Sequence, residues 1–154
     1  MDIKELYQEI ILDHGKNPRN KNKLIGFNKN AKGHNPLCGD KIHIYLKLDK
    51  DKKVENISFE GEGCAISIAS ASIMTQIIKG KEFNVAKKIL EQFLNMLKEG
   101  SKLSINSLSD DENTTMMSLS GVKRFPMRVK CATLAWHTFL NAAEGKKETV
   151  NTEK

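Results

Sequence analysis

Three cysteines in 154 residues constrain the fold of this chain more than any other feature. Cys38 lies in a loop that leads into a predicted strand, whereas Cys64 and Cys131 each stand where a predicted helix begins. An odd number of cysteines argues against a simple disulfide framework. If the three thiols form one metal or sulfur site, three distant parts of the chain must converge in the folded protein.

The size and composition of the chain predict a single domain. At 17.3 kDa with 39% hydrophobic residues, it is long enough for one core that needs no disulfides. We expect this domain to span residues 1–145 and residues 146–154 to form a polar, disordered tail. No leader pattern and no run of membrane-spanning length are visible, so we expect a cytoplasmic protein with reduced thiols and no membrane partner.

The formal net charge of +6 comes mostly from lysines scattered along the whole chain. A platform for single-stranded nucleic acid would require a basic stripe interleaved with aromatic residues, and the sequence has none. The charge therefore indicates a solvated surface with a mild attraction to acidic proteins, and we expect no nucleic-acid partner.

Hydrophobic periodicity predicts an α+β fold. Helical spacing over residues 2–14 is followed by strict alternation over 42–48, a hairpin turn and a second strand over 54–59. A helix of small and apolar residues starts at Ala65 and ends at Gly80. These patterns predict a small sheet covered by helices.

The second half of the chain is predicted to be helical. One helix should begin near Phe83 and close near Gly100, and the last should run over residues 131–143. Residues 101–126 suggest one or two short helices, with apolar positions that include Leu103. The role of this stretch stays open at the level of sequence.

Cysteine and aspartate together suggest a metal site. Cys38 and Asp40 are two residues apart in a segment predicted to be extended, so both side chains should point the same way. At helix N-termini, Cys64 and Cys131 should favour the thiolate form. Three sulfurs and one oxygen suit tetrahedral zinc, although iron clusters also accept thiolates.

The spacing of the candidate ligands is less informative than their chemistry. Intervals of 25 and 66 intervening residues match no short zinc-finger pattern, and any single cysteine is more often a buried core residue than a ligand. Lys41, Arg128 and Lys130 lie beside the ligands in sequence and could offset their negative charge, or could simply be surface residues.

Four motifs in a fixed order resemble the IscU/NifU N-terminal family of iron-sulfur cluster assembly proteins, and the match covers nearly the whole chain. They are Asp13-His14-Gly15-Lys16-Asn17-Pro18-Arg19-Asn20, Asn35-Pro36-Leu37-Cys38-Gly39-Asp40, Phe59-Glu60-Gly61-Glu62-Gly63-Cys64-Ala65 and Arg128-Val129-Lys130-Cys131-Ala132. The resemblance implies a small antiparallel three-stranded sheet with helices packed on one face.

Two departures point to the SufU branch of that family. Housekeeping scaffolds typically carry a Leu-Pro-Pro-Val-Lys loop and a histidine before the third cysteine, whereas this chain reads Phe125-Pro126-Met127-Arg128-Val129-Lys130 there. The long segment between Cys64 and Cys131 also looks like the insertion of that branch.

The resemblance implies a zinc ion held by Cys38, Asp40, Cys64 and Cys131. It further implies that the protein takes persulfide sulfur on Cys38 from a SufS-type cysteine desulfurase, one of whose histidines displaces a zinc ligand, and that downstream iron-sulfur assembly proteins follow. The alternative within the family is a scaffold on which an iron-sulfur cluster is built on the same ligands and then transferred. Whether the chain is a sulfurtransferase-like enzyme or a non-enzymatic scaffold stays open.

Two readings from other classes complete the set. A cysteine hydrolase would need a histidine beside its nucleophile, but His137 lies about 120° around the helix from Cys131. His43 lies on the strand face opposite to Asp40. A structural zinc-binding interaction domain is the more serious outside alternative, because it would keep the same ligands without thiol exchange.

Overall fold

The computed structural model describes residues 2–99 and 105–153. Its elements, in chain order, are α1 (Ile3–Lys16), β1 (Lys29–Asn35), β2 (Asp40–Leu48), β3 (Val54–Glu62), α2 (Ala65–Ile78), α3 (Phe83–Glu99), α4 (Asp110–Leu119), a 3-10 helix (Ser120–Arg124), α5 (Pro126–Ala143) and β4 (Val150–Asn151).

The sheet confirms the α+β class but corrects the predicted number of strands. It has four strands in the order β3-β2-β1-β4, in which β1, β2 and β3 pair antiparallel and β4 adds to the edge of β1 in parallel. The fourth strand escapes prediction because it has two residues in a polar segment, too few for an alternation pattern.

The face of the sheet that meets the helices is built from alternate residues of the strands. Ile42, Ile44 and Leu46 of β2 are buried on it, while Lys41 and Lys47 are exposed on the other side. α2 and α5 pack on this inner face, as the alternation predicts. The largest fully buried side chains of the core are Trp136, Phe59, Phe93 and Phe139.

A serine hydroxyl connects the two helices beneath the sheet. Ser70 of α2 accepts a hydrogen bond from the indole Nε1 of Trp136 at 3.0 Å and donates one to the carbonyl of Ala132 at 2.5 Å. Both partners belong to α5, so this buried hydroxyl fixes how α2 and α5 pack together.

α5 begins five residues earlier than the sequence predicts. Pro126 occupies its first turn, where a missing N–H costs no intrahelical hydrogen bond and the fixed φ suits the helix. The predicted start at Cys131 is therefore wrong, and this cysteine lies in the second turn. Within residues 101–126, the expected short helices are α4 and the 3-10 helix, whereas Leu103 lies outside the described residues.

The C-terminal segment contains ordered structure where the sequence predicts a disordered tail. Residues 150 and 151 pair with Gly33 and His34 of β1, and the backbone N–H of Thr152 donates to the carbonyl of His34 at 3.2 Å. Among the described residues, none of the helices combines the length and apolar character that crossing a bilayer would require.

Candidate metal centre

Cys38 lies at the tip of the hairpin that joins β1 to β2. Asn35 and Asp40 are the last pair of the ladder, so residues 36–39 form the turn, and Gly39 adopts a left-handed conformation with φ of +71°. The predicted extended arm is therefore wrong, because the chain reverses between the two ligands. The turn nevertheless brings the Cys38 sulfur back over Asp40, with Cys38 partly exposed.

Asp40 is a fully buried carboxylate at the start of β2. Its Oδ1 accepts a hydrogen bond from the backbone N–H of Cys64 at 2.8 Å, and its Oδ2 accepts one from Nδ2 of Asn35 at 3.1 Å. Burying a charge is costly unless it is hydrogen-bonded or binds a cation. Two donors satisfy part of this carboxylate and leave lone pairs for a metal.

The end of β3 comes very close to this carboxylate, and the approach depends on Gly63. A Cβ atom on Gly63 would stand 2.2 Å from Oδ1 of Asp40 and 2.9 Å from its Cα. No side chain fits there, so the sequence Gly-x-Gly before Cys64 allows the N-terminus of α2 to contact β2.

Cys64 is the N-cap residue of α2, as the sequence predicts. Its sulfur accepts a hydrogen bond from the backbone N–H of Ser67 at 3.4 Å. A hydrogen bond with Cys131, helped by the N–H groups of Ser67 and Ile66, lowers the pKa of Cys64 to about 6 despite its partial burial. Cys64 therefore holds a thiolate at neutral pH.

Cys131 behaves differently from the prediction. It is fully buried one turn inside α5, so the positive end of the helix does not act on it directly. The hydrogen bond with Cys64, burial and hydrogen bonds with Asp40 and Cys38 raise the pKa of Cys131. Two adjacent sulfurs do not both ionise without a cation, so Cys131 keeps the proton that Cys64 gives up.

The structure brings the predicted ligands together from three separate parts of the chain. One ligand atom each from Cys38, Asp40 and Cys131 lies within 4.8 Å of the other two. Cys64 adjoins this group through its hydrogen bond with Cys131 and its backbone contact with Asp40. Three sulfurs and one oxygen converging at a single point match the donor set of tetrahedral zinc.

Only one of the three basic residues proposed beside the ligands contacts a site residue. Nη1 of Arg128 donates to the sulfur of Cys38 at 3.4 Å. Lys41 is exposed on the outer face of β2, and Lys130 forms a 2.7 Å ion pair with Glu153. Arg128 therefore supplies the local positive charge on the open side of the site.

The histidines lie in structural settings rather than at the cysteines. Nδ1 of His14 is 2.8 Å from the hydroxyl of Ser72 in α2, and burial lowers the pKa of His14. His43 stacks on Tyr45 on the outer face of the sheet, away from Asp40 as predicted. The sequence segment around His14 thus fastens α1 to α2, and the described contacts offer no base for a cysteine hydrolase.

Asn35 is the site residue that sequence reasoning missed. Its fully buried Nδ2 donates to Oδ2 of Asp40 at 3.1 Å and to the sulfur of Cys131 at 3.3 Å. The signal was present in the motif Asn35-Pro36-Leu37-Cys38-Gly39-Asp40, since an asparagine at the end of a strand beside a proline turn has no apolar reason to face the core.

Comparisons with known proteins agree with this geometry. The profile of the family described as "NifU-like N terminal domain" matches residues 6–132. Among curated relatives, the "Zinc-dependent sulfurtransferase SufU" of Bacillus subtilis strain 168 is 46% identical over 135 residues, which cover 88% of this chain and 87% of that protein. The "Iron-sulfur cluster assembly scaffold protein IscU" of Thermotoga maritima is 37% identical over 145 residues, covering 92% and 95%.

Solved structures share the fold. A structure titled as a putative iron-sulfur cluster assembly scaffold protein for the SUF system from Fervidobacterium islandicum AW-1 superimposes with a TM-score of 0.79 at 34% identity, covering 90% of this chain and 97% of that one. A NifU-like protein (N-terminal) from Brucella abortus reaches a TM-score of 0.80 at 22% identity, covering 94% and 96%, which supports the fold alone.

Proposed function

The chain belongs to the NifU-like N-terminal domain family, and from this premise we propose that it is a zinc-bound sulfur acceptor in iron-sulfur cluster assembly. The observation that carries the proposal is the convergence of Cys38, Asp40 and Cys131, with Cys64 beside them. The Bacillus subtilis relative, named as a zinc-dependent sulfurtransferase, supports it.

All four residues together would hold the zinc. The donor set fits, because two sulfurs and one carboxylate already lie at ligand distance and Cys64 carries a thiolate. A bound zinc ion stabilises thiolates and protects them from chance oxidation. The removal of Cys131's proton on metal binding follows from its raised pKa, so zinc uptake should release a proton.

Cys38 is the residue that we propose to accept sulfur. It lies in a turn and is partly exposed, whereas Cys131 is fully buried, so an incoming persulfide can approach Cys38 in line. The Cys38 thiolate attacks the outer sulfur of the donor persulfide, and a new S–S bond forms as the donor S–S bond breaks. The bonding electrons leave with the donor thiolate, so the exchange requires no external oxidant or reductant.

The surface around Cys38 suits a protein partner. Leu37, Phe125 and Met127 are apolar residues with 56%, 47% and 66% exposure, and they flank Cys38 and Arg128 in the chain. Exposed apolar side chains grouped near a reactive residue are typical of an interaction surface. We propose that a SufS-type cysteine desulfurase docks here in the cytoplasm and that downstream assembly proteins receive the sulfur.

The alternative is a scaffold that holds an iron-sulfur cluster on the same residues. The relatives named as IscU scaffolds favour it, including one from Streptococcus pyogenes serotype M1 at 36% identity over 91% of this chain and 84% of that protein. Iron-sulfur clusters take thiolate ligands, so the donor set alone is compatible with this role.

Anaerobic metal analysis followed by a sulfur-transfer assay distinguishes these functions. The chain, purified without air, is analysed for zinc, iron and acid-labile sulfide, then incubated with a SufS-type desulfurase and cysteine and examined by mass spectrometry. We expect equimolar zinc, no sulfide and a persulfide on Cys38 that the Cys38→Ser variant lacks. Iron with matching sulfide would indicate the scaffold, and zinc without any persulfide would indicate a structural domain.

A further inference from the structure

The C-terminal strand runs beside the candidate metal centre. β4 pairs with β1 at Gly33 and His34, immediately before Asn35 at the end of the same strand. The N–H of Thr152 extends this pairing by donating to the carbonyl of His34. Thr152 is therefore held next to Asn35, although 117 residues separate them in sequence.

Asn35 connects this strand to two of the proposed ligands. Its Nδ2 carries two protons, one directed at Oδ2 of Asp40 and one at the sulfur of Cys131. Its Oδ1 accepts a hydrogen bond from the hydroxyl of Thr152 at 3.0 Å. Because an ionised carboxylate only accepts hydrogen bonds, the amide has one favourable orientation, and Thr152 must be the donor.

We propose that Thr152 and Asn35 are positioning residues, and that the C-terminal strand holds the Asn35 amide so that it sets Asp40 and Cys131 at ligand distance. This inference rests on the proposed function, because it requires that the site binds metal. Neither residue touches the metal in this arrangement. Their effect is to align an oxygen at the start of β2 with a sulfur in α5.

The arrangement matters because the two ligands belong to elements that no local geometry holds together. A single buried amide bridges them, and outer hydrogen bonds of this kind orient ligands and strengthen metal binding. A second fastening comes from the ion pair between Lys130 of α5 and Glu153 at 2.7 Å. This pair is exposed, so we assign the alignment to the half-buried Thr152 rather than to Glu153.

Cobalt substitution in the full chain tests the inference. Co²⁺ occupies tetrahedral sulfur sites, and its sulfur-to-metal and d–d absorption bands report ligand geometry. Thr152→Val keeps the shape and strand preference of the residue but removes the hydroxyl, while Thr152→Ser retains a donor. Thr149→Val serves as the matched control, since Thr149 is an exposed threonine of the same segment.

For Thr152→Val we expect shifted d–d bands and an affinity for Co²⁺ about fivefold weaker, the ratio for loss of one ordinary hydrogen bond. Thr152→Ser and Thr149→Val should both match the wild type, and the thermal midpoint of the metal-free protein should confirm that all variants fold. A Thr152→Val spectrum and affinity identical to the wild type would overturn the inference while leaving the proposed function intact. A wild-type protein without a sulfur-to-cobalt band would instead overturn the metal centre, and this inference with it.

Discussion

Substituting Gly63 by alanine tests whether the close approach of β3 to Asp40 builds the candidate site. The new Cβ would lie 2.2 Å from Oδ1, 2.9 Å from Cα and 3.0 Å from Cγ of Asp40, whereas ordinary contact begins at 3.4 Å. Because the Cα atom is among these neighbours, a side-chain rotation of Asp40 does not relieve the overlap. Either β2 or the β3–α2 connection must move by about an ångström.

The cost can be estimated from three contributions. Overpacking a tight site costs about 1–3 kcal/mol, and the φ of Gly63 is +151°, a conformation unfavourable for alanine. Movement of Asp40 also breaks the 2.8 Å hydrogen bond that Cys64 donates to its carboxylate, which is worth about 1.5–3 kcal/mol. These contributions overlap, so we expect the free energy of unfolding to fall by about 3–5 kcal/mol, a large part of the stability of a small domain.

Urea unfolding of the metal-free protein and competition for zinc with a chelator are the assays. Gly80→Ala is the matched control, because Gly80 also has a positive φ of +85° but no atom within 4 Å of an added Cβ. It should lose only the backbone contribution of about 1–2 kcal/mol and keep its zinc affinity. If Gly63→Ala lost no more stability than Gly80→Ala and bound zinc as tightly as the wild type, the close approach would not build the site.

Three further predictions concern the ligand, the core and pH. Asp40→Ala should weaken zinc binding by more than about tenfold in a chelator competition, since even outer-shell losses reach that size; unchanged affinity would remove Asp40 from the ligand set. Ser70→Ala should destabilise the protein by about 1–3 kcal/mol in urea unfolding, because the buried indole N–H of Trp136 loses its partner, whereas Ser58→Ala should be nearly neutral, since the buried Ser58 hydroxyl has no partner among the described residues; equal effects would contradict this account. Because burial lowers the pKa of His14 from 6.5, its neutral form favours folding above that pH and this stability is lost as pH falls below it, so His14→Gln should lose less stability than the wild type between about pH 7.5 and 5.5, and parallel pH profiles would refute the assignment.

The sequence predicted elements whose pattern is local and strong. The alternation through Ile42 and Ile44 identifies β2, and the N-cap position of Cys64 follows from the glycines before it. β1 was hidden because its inward positions are Ala31, Gly33 and Asn35, which carry no large apolar side chain. Small residues there allow α5 to pack closely, so the feature that conceals the strand from pattern analysis is the one that packing requires.

The errors at the site have specific causes. The placement of Cys131 at a helix start overlooked Pro126, whose preference for the first turn marks the earlier beginning of α5. The extended arm of Cys38 and Asp40 overlooked the turn-forming pair of Pro36 and Gly39. The role of Thr152 could not be predicted, because it depends on a pairing between strands that are distant in sequence.

The order in which the ligands are synthesised has a consequence for the newly made chain. Asn35 and Cys131 meet across 96 residues of sequence, and Arg128 and Cys38 across 90. Synthesis proceeds from the N-terminus, so Cys38 and Cys64 emerge well before α5 can dock against them. Until then their thiols have neither a metal nor Arg128 beside them and are open to oxidation. Zinc uptake would therefore mark the chains that have finished folding, and a cell that is short of zinc would accumulate chains with exposed thiols.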